Sequence, residues 1–220
     1  QKQPKVSKKE ENAQLKAEKE LALRILARKR MLPFVEKFNH DYQAGWVHKD
    51  VCRRLEKFSQ DVAEKKSPRL MLFMPPRHGK STLASIAFPA WHLGRNPGHE
   101  FISCSYSGSL AMSFSRKVRQ VLREPTYKNV FENTKLDKDS QSVESWQTTE
   151  GGGYVAAGVG GGITGKGAHV LLIDDPVKNR EDAESENNRE ATWDWYTSTA
   201  YTRLSPGGGI LVILTRWHDD

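Results

Sequence analysis

The sequence predicts an α/β fold in which a mostly parallel sheet is covered by helices on both faces. Apolar segments of strand length alternate along the chain with segments whose apolar residues recur at helical spacing. Several apolar segments also end in polar residues, which is typical of strands whose carboxyl ends line a site. The predicted strands lie at 70–74, 101–106, 170–173 and 210–215.

The segments between these strands carry the helical pattern. The helix predicted at 48–64 has its large apolar residues at helical spacing, which indicates core packing. Two short antiparallel strands are predicted within 146–159, around the turn at 150–153. The predicted helices lie at about 10–30, 33–44, 48–64, from Lys80 towards the turn at 95–98, 110–123 and 180–199.

Length and composition are those of a soluble globular protein with room for one sizeable core. The chain has 220 residues, of which 37% are hydrophobic and 28% are charged. No apolar run approaches the roughly 20 residues of a membrane-spanning helix, and no signal-peptide core is present, so we expect no membrane partner. Cys52 and Cys104 stand in unrelated contexts, which indicates a reducing compartment rather than a disulfide framework or a metal cluster.

The positive charge is concentrated at the N-terminus. Residues 1–30 contain ten Lys or Arg and four Glu, a balance of +6, whereas the whole chain has a net charge of +7. The sequence therefore predicts a basic helical arm at 1–32 and a nearly neutral α/β domain at 33–220. The arm could bind nucleic acid or an acidic partner, or it could be a solvated helix with a basic end, and both interpretations stay open.

The segment after the first strand has the pattern of a phosphate-binding loop (P-loop). In such a loop, backbone N–H groups face the phosphates, a lysine reaches the β- and γ-phosphates, and a hydroxyl holds Mg²⁺. Gly79, Lys80 and Ser81 occupy the last three positions of the GxxxxGK[ST] pattern, whereas Met74 replaces its first glycine. The pattern predicts ATP and Mg²⁺ as cofactors. The predicted phosphate-binding residues are Pro76, Arg77, His78, Gly79, Lys80, Ser81 and Thr82, and Ser81 is also a predicted metal ligand.

The strand at 170–173 delivers two carboxylates at its carboxyl end. ATP-hydrolysing P-loop proteins place a magnesium-binding carboxylate, the Walker B residue, at this position, and the next acidic residue can orient the attacking water. These roles fall on Asp174 and Asp175. Asp-Asp-Pro is also good turn chemistry, but together with the upstream P-loop the segment favours a nucleotide hydrolase.

A second glycine-rich segment resembles a P-loop only superficially. Residues 160–167 read GGGITGKG, but Gly167 stands where the hydroxyl is needed and a strand follows instead of a helix. Nine of the 17 glycines lie between Gly151 and Gly167. We interpret this segment as a mobile glycine-rich loop, and it could be a hairpin tip or a loop that senses DNA or substrate.

The last predicted strand also ends in polar residues. Thr215 could sense the γ-phosphate or its attacking water from a strand between the P-loop strand and the Walker B strand, or it could simply cap the strand. The sequence stops soon afterwards, at Asp220, which indicates a fragment of a longer protein.

Together these motifs resemble the large terminase subunit of tailed double-stranded DNA bacteriophages. The resemblance covers roughly residues 40–220 and rests on four segments in order, MPPRHGKST, CSYS, GGGITGKGAHVLLIDDPVKNREDAES and WDWYTSTAYTRLSPGGGILVILTRWHDD. It implies an additional-strand, RecA-like P-loop ATPase that drives double-stranded DNA through the portal protein into a capsid. It also implies a metal-dependent nuclease domain, which is absent from these residues.

The resemblance assigns roles to individual residues. Lys80 would contact the phosphates, and Ser81 and Asp174 would hold Mg²⁺. Thr215 would lie in the motif that couples hydrolysis to movement. Arg77 sits where the family often has a basic residue that touches the γ-phosphate.

The catalytic carboxylate and the adenine contact are less well defined. The family frequently has Glu where this chain has Asp175, which is shorter by one methylene, so Glu181 and Glu184 are alternatives for the catalytic base. No adenine-binding glutamine motif is evident, and Trp46 and His48 are candidates for that contact.

Arg203 is predicted to act on the nucleotide of a neighbouring subunit. An arginine supplied in this way can contribute about 10³–10⁵ to turnover in P-loop enzymes. Arg203 follows an aromatic helix and precedes the turn at 205–206. Arg77 is the alternative, acting within its own loop, and a cation at a helix C-terminus is the structural alternative for Arg203.

Two other functions remain as alternatives, a P-loop kinase with a small acceptor and a nucleotide-gated scaffold without turnover. The motor interpretation implies double-stranded DNA, the portal protein, the small terminase subunit and other copies in a ring as partners. It also implies the host bacterial cytoplasm as location, with transient docking on the procapsid.

Overall fold

A computed structural model describes residues 8–163, 165 and 167–217, and within them seven strands form one sheet. The strands are β1 (Arg69–Phe73), β2 (Glu100–Ser105), β3 (Leu136–Gln141), β4 (Ser145–Thr148), β5 (Gly153–Gly158), β6 (Ala168–Asp174) and β7 (Leu204–Leu214). Their order is β1-β7-β6-β2-β5-β4-β3. The first five strands in this order run parallel to one another, and β4 and β3 continue the sheet as antiparallel strands. The predicted mostly parallel α/β sheet is therefore confirmed.

Helices cover both faces of the sheet. The α-helices are α1 (Lys8–Lys29), α2 (Met31–Phe38), α3 (Trp46–Ala63), α4 (Phe88–Arg95), α5 (Gly108–Arg123), α6 (Pro125–Val130), α7 (Arg180–Glu184) and α8 (Glu186–Trp195). A π-helical segment, Thr82–Ala87, leads into α4, and a second one, Tyr196–Ala200, follows α8 and ends in the short 3₁₀ turn Tyr201–Arg203.

Alternate residues of the central strands enter two separate cores. Val170 and Leu172 of β6 pack on the face that holds α3, α4 and α5. Leu171 and Ile173 pack on the opposite face with Trp195 and the π-helix after α8. This alternation explains the continuous apolar sequence of β6, since a strand covered on both faces needs apolar residues in every position.

Two of the predicted helices have different bounds. The helix predicted at 33–44 begins earlier, because Pro33 is tolerated in the first turn, and it ends at Phe38, before a run of weak helix formers. The helix predicted at 180–199 is divided at Ser185. The Ser185 hydroxyl accepts a hydrogen bond from the Asn188 amide, so it caps a new helix.

The C-terminal end of α1 packs against the α/β body. Ala27 is fully buried, and its carbonyl accepts a hydrogen bond of 3.0 Å from the Trp91 indole. The Arg28 side chain donates to the Val130 carbonyl at 2.7 Å. In contrast, all but two residues of the preceding part of the helix, 8–26, are exposed.

The glycine-rich region contains a tight β-hairpin at its start. Strands β4 and β5 pair as the predicted antiparallel hairpin. A Cβ atom on Gly152 would lie 2.2 Å from the Pro97 carbonyl oxygen, so only glycine fits there. Residues 164 and 166 of the GGGITGKG segment lie outside the described residues.

Both cysteines are buried and are not joined by a disulfide. Cys52 belongs to α3 and packs in the core on that face of the sheet, and Cys104 packs in the core on the other face. Burial raises the pKa of each thiol to about 12. In the part of the chain that the structure describes, no helix is long and apolar enough to cross a membrane.

Candidate active site

The sheet order brings three predicted segments together at the carboxyl edge. Strand β7 lies between β1 and β6 and pairs in parallel with both. The loop after β1, the two aspartates at the end of β6 and Thr215 after β7 are therefore neighbours, although they are far apart in sequence. Carboxyl ends of parallel strands are where α/β proteins place their ligands.

Lys80 lies at the centre of this group. Its ammonium donates a hydrogen bond of 2.6 Å to Asp175 Oδ1 and one of 2.5 Å to Thr215 Oγ1. The side chain is only 8% exposed, so its charge lies in a poorly solvated position where ionic contacts are strong. The lysine thus joins the predicted P-loop to the ends of β6 and β7.

Asp175 is held in place by its backbone as well as by Lys80. It has a φ of 47°, a left-handed conformation that is strained for a residue with a side chain. The Asp175 amide donates to the Ile213 carbonyl at 2.7 Å, and its Oδ1 accepts from the Thr215 amide at 2.9 Å. This unusual backbone aims the carboxylate at the lysine rather than at solvent.

Asp174 is almost fully buried beside the P-loop helix. Its Oδ2 accepts a hydrogen bond of 2.6 Å from the Ser85 hydroxyl, whereas its Oδ1 is buried without any hydrogen-bond partner. Burial raises the pKa of Asp174, although the nearby Ser85 and Ser81 hydroxyls oppose this change.

This arrangement fits a magnesium ion. Mg²⁺ prefers oxygen ligands, and P-loop proteins hold it with one carboxylate, one hydroxyl, phosphates and water. The unpartnered Oδ1 atom of Asp174, with the Ser81 hydroxyl next to the same carboxyl group, supplies this donor set. Within the described residues no group of three or more His, Cys, Asp or Glu side chains could hold a metal.

The loop itself has the backbone of an anion cradle. Arg77 and Gly79 have φ values of 62° and 76°, and such left-handed residues in a turn direct successive N–H groups into one concavity. Met74 is 8% exposed, and its amide donates to the Leu214 carbonyl at 3.3 Å. The loop therefore continues the sheet at Met74 and has a backbone there that does not need glycine.

The residues after the loop explain why Ser85 reaches Asp174. Thr82–Ala87 is π-helical, and such segments often occur at functional sites. Ser85 is completely buried and was not identified by the sequence reasoning. The available signal was a serine four residues after Ser81 in an otherwise apolar helix.

Comparison with known proteins identifies the family. Residues 71–220 match the family model described as the terminase large subunit, T4likevirus-type, N-terminal. The chain belongs to this family. The predicted resemblance to the large terminase subunit is therefore confirmed.

A solved structure has the same fold. The crystal structure of the HK97 bacteriophage large terminase aligns with a TM-score of 0.54 and 14% sequence identity, over 86% of this chain and 38% of that one. At this identity the likeness concerns the fold alone, and this terminase chain spans well under half the length of the HK97 protein. No curated protein sequence matches the chain.

Of the two adenine candidates, His48 lies at the P-loop of this terminase. Its Nδ1 accepts a hydrogen bond from the Gly45 amide, so Nε2 carries the hydrogen and donates to the His78 carbonyl at 3.1 Å. Trp46 is 81% exposed. Tyr42 packs edge-on against His48, and its hydroxyl is buried without a partner. The sequence reasoning missed Tyr42.

The alternative catalytic carboxylates lie on α7. Glu181 and Glu184 are exposed, and Glu184 forms an ion pair with Arg180 at 2.6 Å. Ala183, between them, lines a cavity together with Thr215. The helix thus lies beside the end of β7, whereas Asp175 is the carboxylate in contact with Lys80.

Arg203 lies at the opposite edge of the sheet. It precedes Leu204, which pairs with Ala168 at the start of β6, whereas Asp174 is at the end of that strand. Six residues at about 3.3 Å each separate the two edges by about 20 Å. Its Nε atom is buried without a partner. Arg203 therefore lies away from the P-loop of its own chain, and its action on another subunit stays a prediction.

Proposed function

We propose that this chain is the ATP-hydrolysing motor domain of a DNA-packaging terminase. The observation that supports this most directly is the position of Lys80 between Asp175 and Thr215, next to the buried Asp174. The place of β7 between β1 and β6 supports an additional-strand, RecA-like ATPase. Bound ATP would supply the phosphate that is transferred to water, and Mg²⁺ held by Ser81 and Asp174 would neutralise charge on that phosphate.

Each side chain of the site has its own role in the proposed hydrolysis. Lys80 exchanges its contact with Asp175 for a phosphate oxygen, because an ammonium has three donors and a flexible stem. Asp175 Oδ1, which still accepts from the Thr215 amide, then has a lone pair free to accept a proton from water. Ser81 and Asp174 would hold the metal, and Arg77 would contact the γ-phosphate from within the loop. The Thr215 hydroxyl accepts a hydrogen bond from Lys80, so movement of the lysine towards a phosphate would be felt directly at Thr215.

The partners and location follow from the same proposal. Double-stranded DNA would be moved through the portal protein, with the small terminase subunit and a ring of further copies, in the host bacterial cytoplasm at the procapsid. Residues 1–32 would be a helical arm on a motor domain at 33–220. The family match does not favour the kinase alternative.

Phosphate release from purified protein tests the proposal. Lys80→Ala and Asp174→Ala should each reduce turnover by several orders of magnitude, because such contacts are worth several kcal/mol in the transition state. Exposed Lys49→Ala, which lies outside the site, is the control. Unchanged phosphate release by both variants would contradict the proposed hydrolase.

A further inference from the structure

Helix α5 carries a line of three arginines, Arg116, Arg119 and Arg123. They are spaced by three and four residues, so they project from the same side of the helix. Arg116 and Arg123 are exposed, whereas Arg119 between them is only 9% exposed. We call these three residues the α5 arginine ridge.

Arg119 is buried without compensation. Its Nε and Nη1 atoms are inaccessible and have no hydrogen-bond partner. Burial, followed by the neighbouring charges of Arg123 and Arg116, lowers the pKa of its guanidinium. A buried charge normally has a partner, because desolvation is costly. Among the described residues, the hydrogen-bond partner of the ridge is Gln141, a neutral amide whose oxygen accepts from Arg123 at 2.5 Å.

We propose that the α5 arginine ridge binds backbone phosphates of double-stranded DNA, with Arg119 as the central contact. The choice of DNA rests on the proposed packaging function. Because Nε and Nη1 of Arg119 are inaccessible in this conformation, the side chain would turn outward to bind, and no hydrogen bond from either atom opposes that movement. The guanidinium fork would then match a phosphate bidentately. The ridge spans about 10 Å of helix. Successive phosphates of one DNA strand are spaced by about 3.4 Å along the duplex axis, so the ridge is as long as roughly three such steps.

Helix α5 also connects the ridge to the nucleotide site. Strand β2, which precedes the helix, ends at Ser105 in register with Asp174. The next residue, Tyr106, donates its amide to the Asp175 carbonyl at 3.1 Å, and Ser107 then caps the helix. The ridge is therefore carried by a helix that begins beside the Walker B aspartates.

Binding of a fluorescently labelled DNA duplex, measured by anisotropy over a range of salt concentrations, tests the proposal. Arg119→Met replaces the unbranched aliphatic stem with one of similar length and removes the guanidinium and its charge. Lys117→Gln is the matched control, because it removes one exposed charge from the same helix outside the ridge. Arg119→Met should weaken binding about tenfold at low salt and reduce the salt slope by about 1, with a much smaller effect of Lys117→Gln.

Measuring Tm by thermal unfolding distinguishes a loss of DNA binding from a folding defect. Removing an unpaired buried charge should leave Tm unchanged or higher, so Arg119→Met should remain folded. Arg119→Lys, which keeps the charge but not the fork, should retain the salt slope and lose part of the affinity. A lower Tm for both variants, with normal DNA binding by the folded fraction, would make Arg119 a structural residue and overturn the proposal.

The remaining outcomes separate this inference from the proposed function. Salt-dependent DNA binding by the wild-type protein and equal binding by Arg119→Met would overturn the ridge but leave the motor intact. No DNA binding and no ATP hydrolysis by the wild-type protein would overturn both. Binding of polyglutamate that Arg119→Met abolishes, with DNA binding unchanged, would assign the ridge to an acidic protein instead.

Discussion

Ser85→Ala tests how the buried hydroxyl prepares Asp174 for the metal. The hydroxyl donates to Oδ2 at 2.6 Å, so the other oxygen, Oδ1, remains available. A hydrogen bond to a charged group contributes about 1.5–3 kcal/mol. One kcal/mol corresponds to roughly 2–4 °C in Tm for a protein of this size, so Tm should fall by about 3–12 °C.

The variant should also change the dependence of activity on magnesium and pH. Loss of a donor to the carboxylate raises the pKa of Asp174 further above its ordinary value. Protons then compete more strongly with Mg²⁺. The Mg²⁺ concentration for half-maximal phosphate release should therefore rise most near about pH 6 and least near about pH 8.

Ser105→Ala is the matched control for this experiment. Ser105 pairs with Asp174 across β2 and β6, and its hydroxyl is equally buried but has no partner. Removing it should leave Tm and the magnesium requirement nearly unchanged. An equal effect of both substitutions, or a Ser85→Ala defect that is independent of pH and magnesium, would refute the role assigned to Ser85.

Three further predictions concern the other site residues. Asp175→Asn should keep nucleotide binding, measured by titration, but lose turnover, because an amide cannot accept the proton. If this variant retains turnover and Glu181→Gln is inactive, the catalytic base is on α7 instead. Asp174→Asn should abolish hydrolysis yet raise Tm without magnesium, because burial raises the pKa of Asp174 and its carboxylate form therefore costs stability. This gain should shrink as pH falls through the raised pKa, where the wild-type carboxyl is also neutral, and a gain that is constant in calorimetry across pH would contradict it. Arg203→Ala subunits mixed with Lys80→Ala subunits should recover some phosphate release if Arg203 acts between subunits. If both proteins assemble and no ratio restores phosphate release, the result would favour Arg77.

Local patterns were sufficient to predict the parts of the site that depend on local backbone. The Gly79-Lys80-Ser81 sequence after an apolar strand, and the aspartates after the strand at 170–173, identify a loop and a strand end by spacing alone. Such signals are readable because glycine conformation and helix starts are properties of a few consecutive residues. The division of the helix at Ser185 was missed because cap and helix-interior positions differ only in context.

The sequence by itself determined the α/β class and the positions of Lys80 and Asp174, because strand alternation and P-loop spacing are local. Only the tertiary structure decided that β7 separates β1 from β6, which brings Lys80 to Thr215 across 135 residues and to Asp175 across 95. The same holds for Ser85 beneath Asp174 and for the unpaired guanidinium of Arg119. Strand order and side-chain partners arise from packing between distant segments, which no local pattern records.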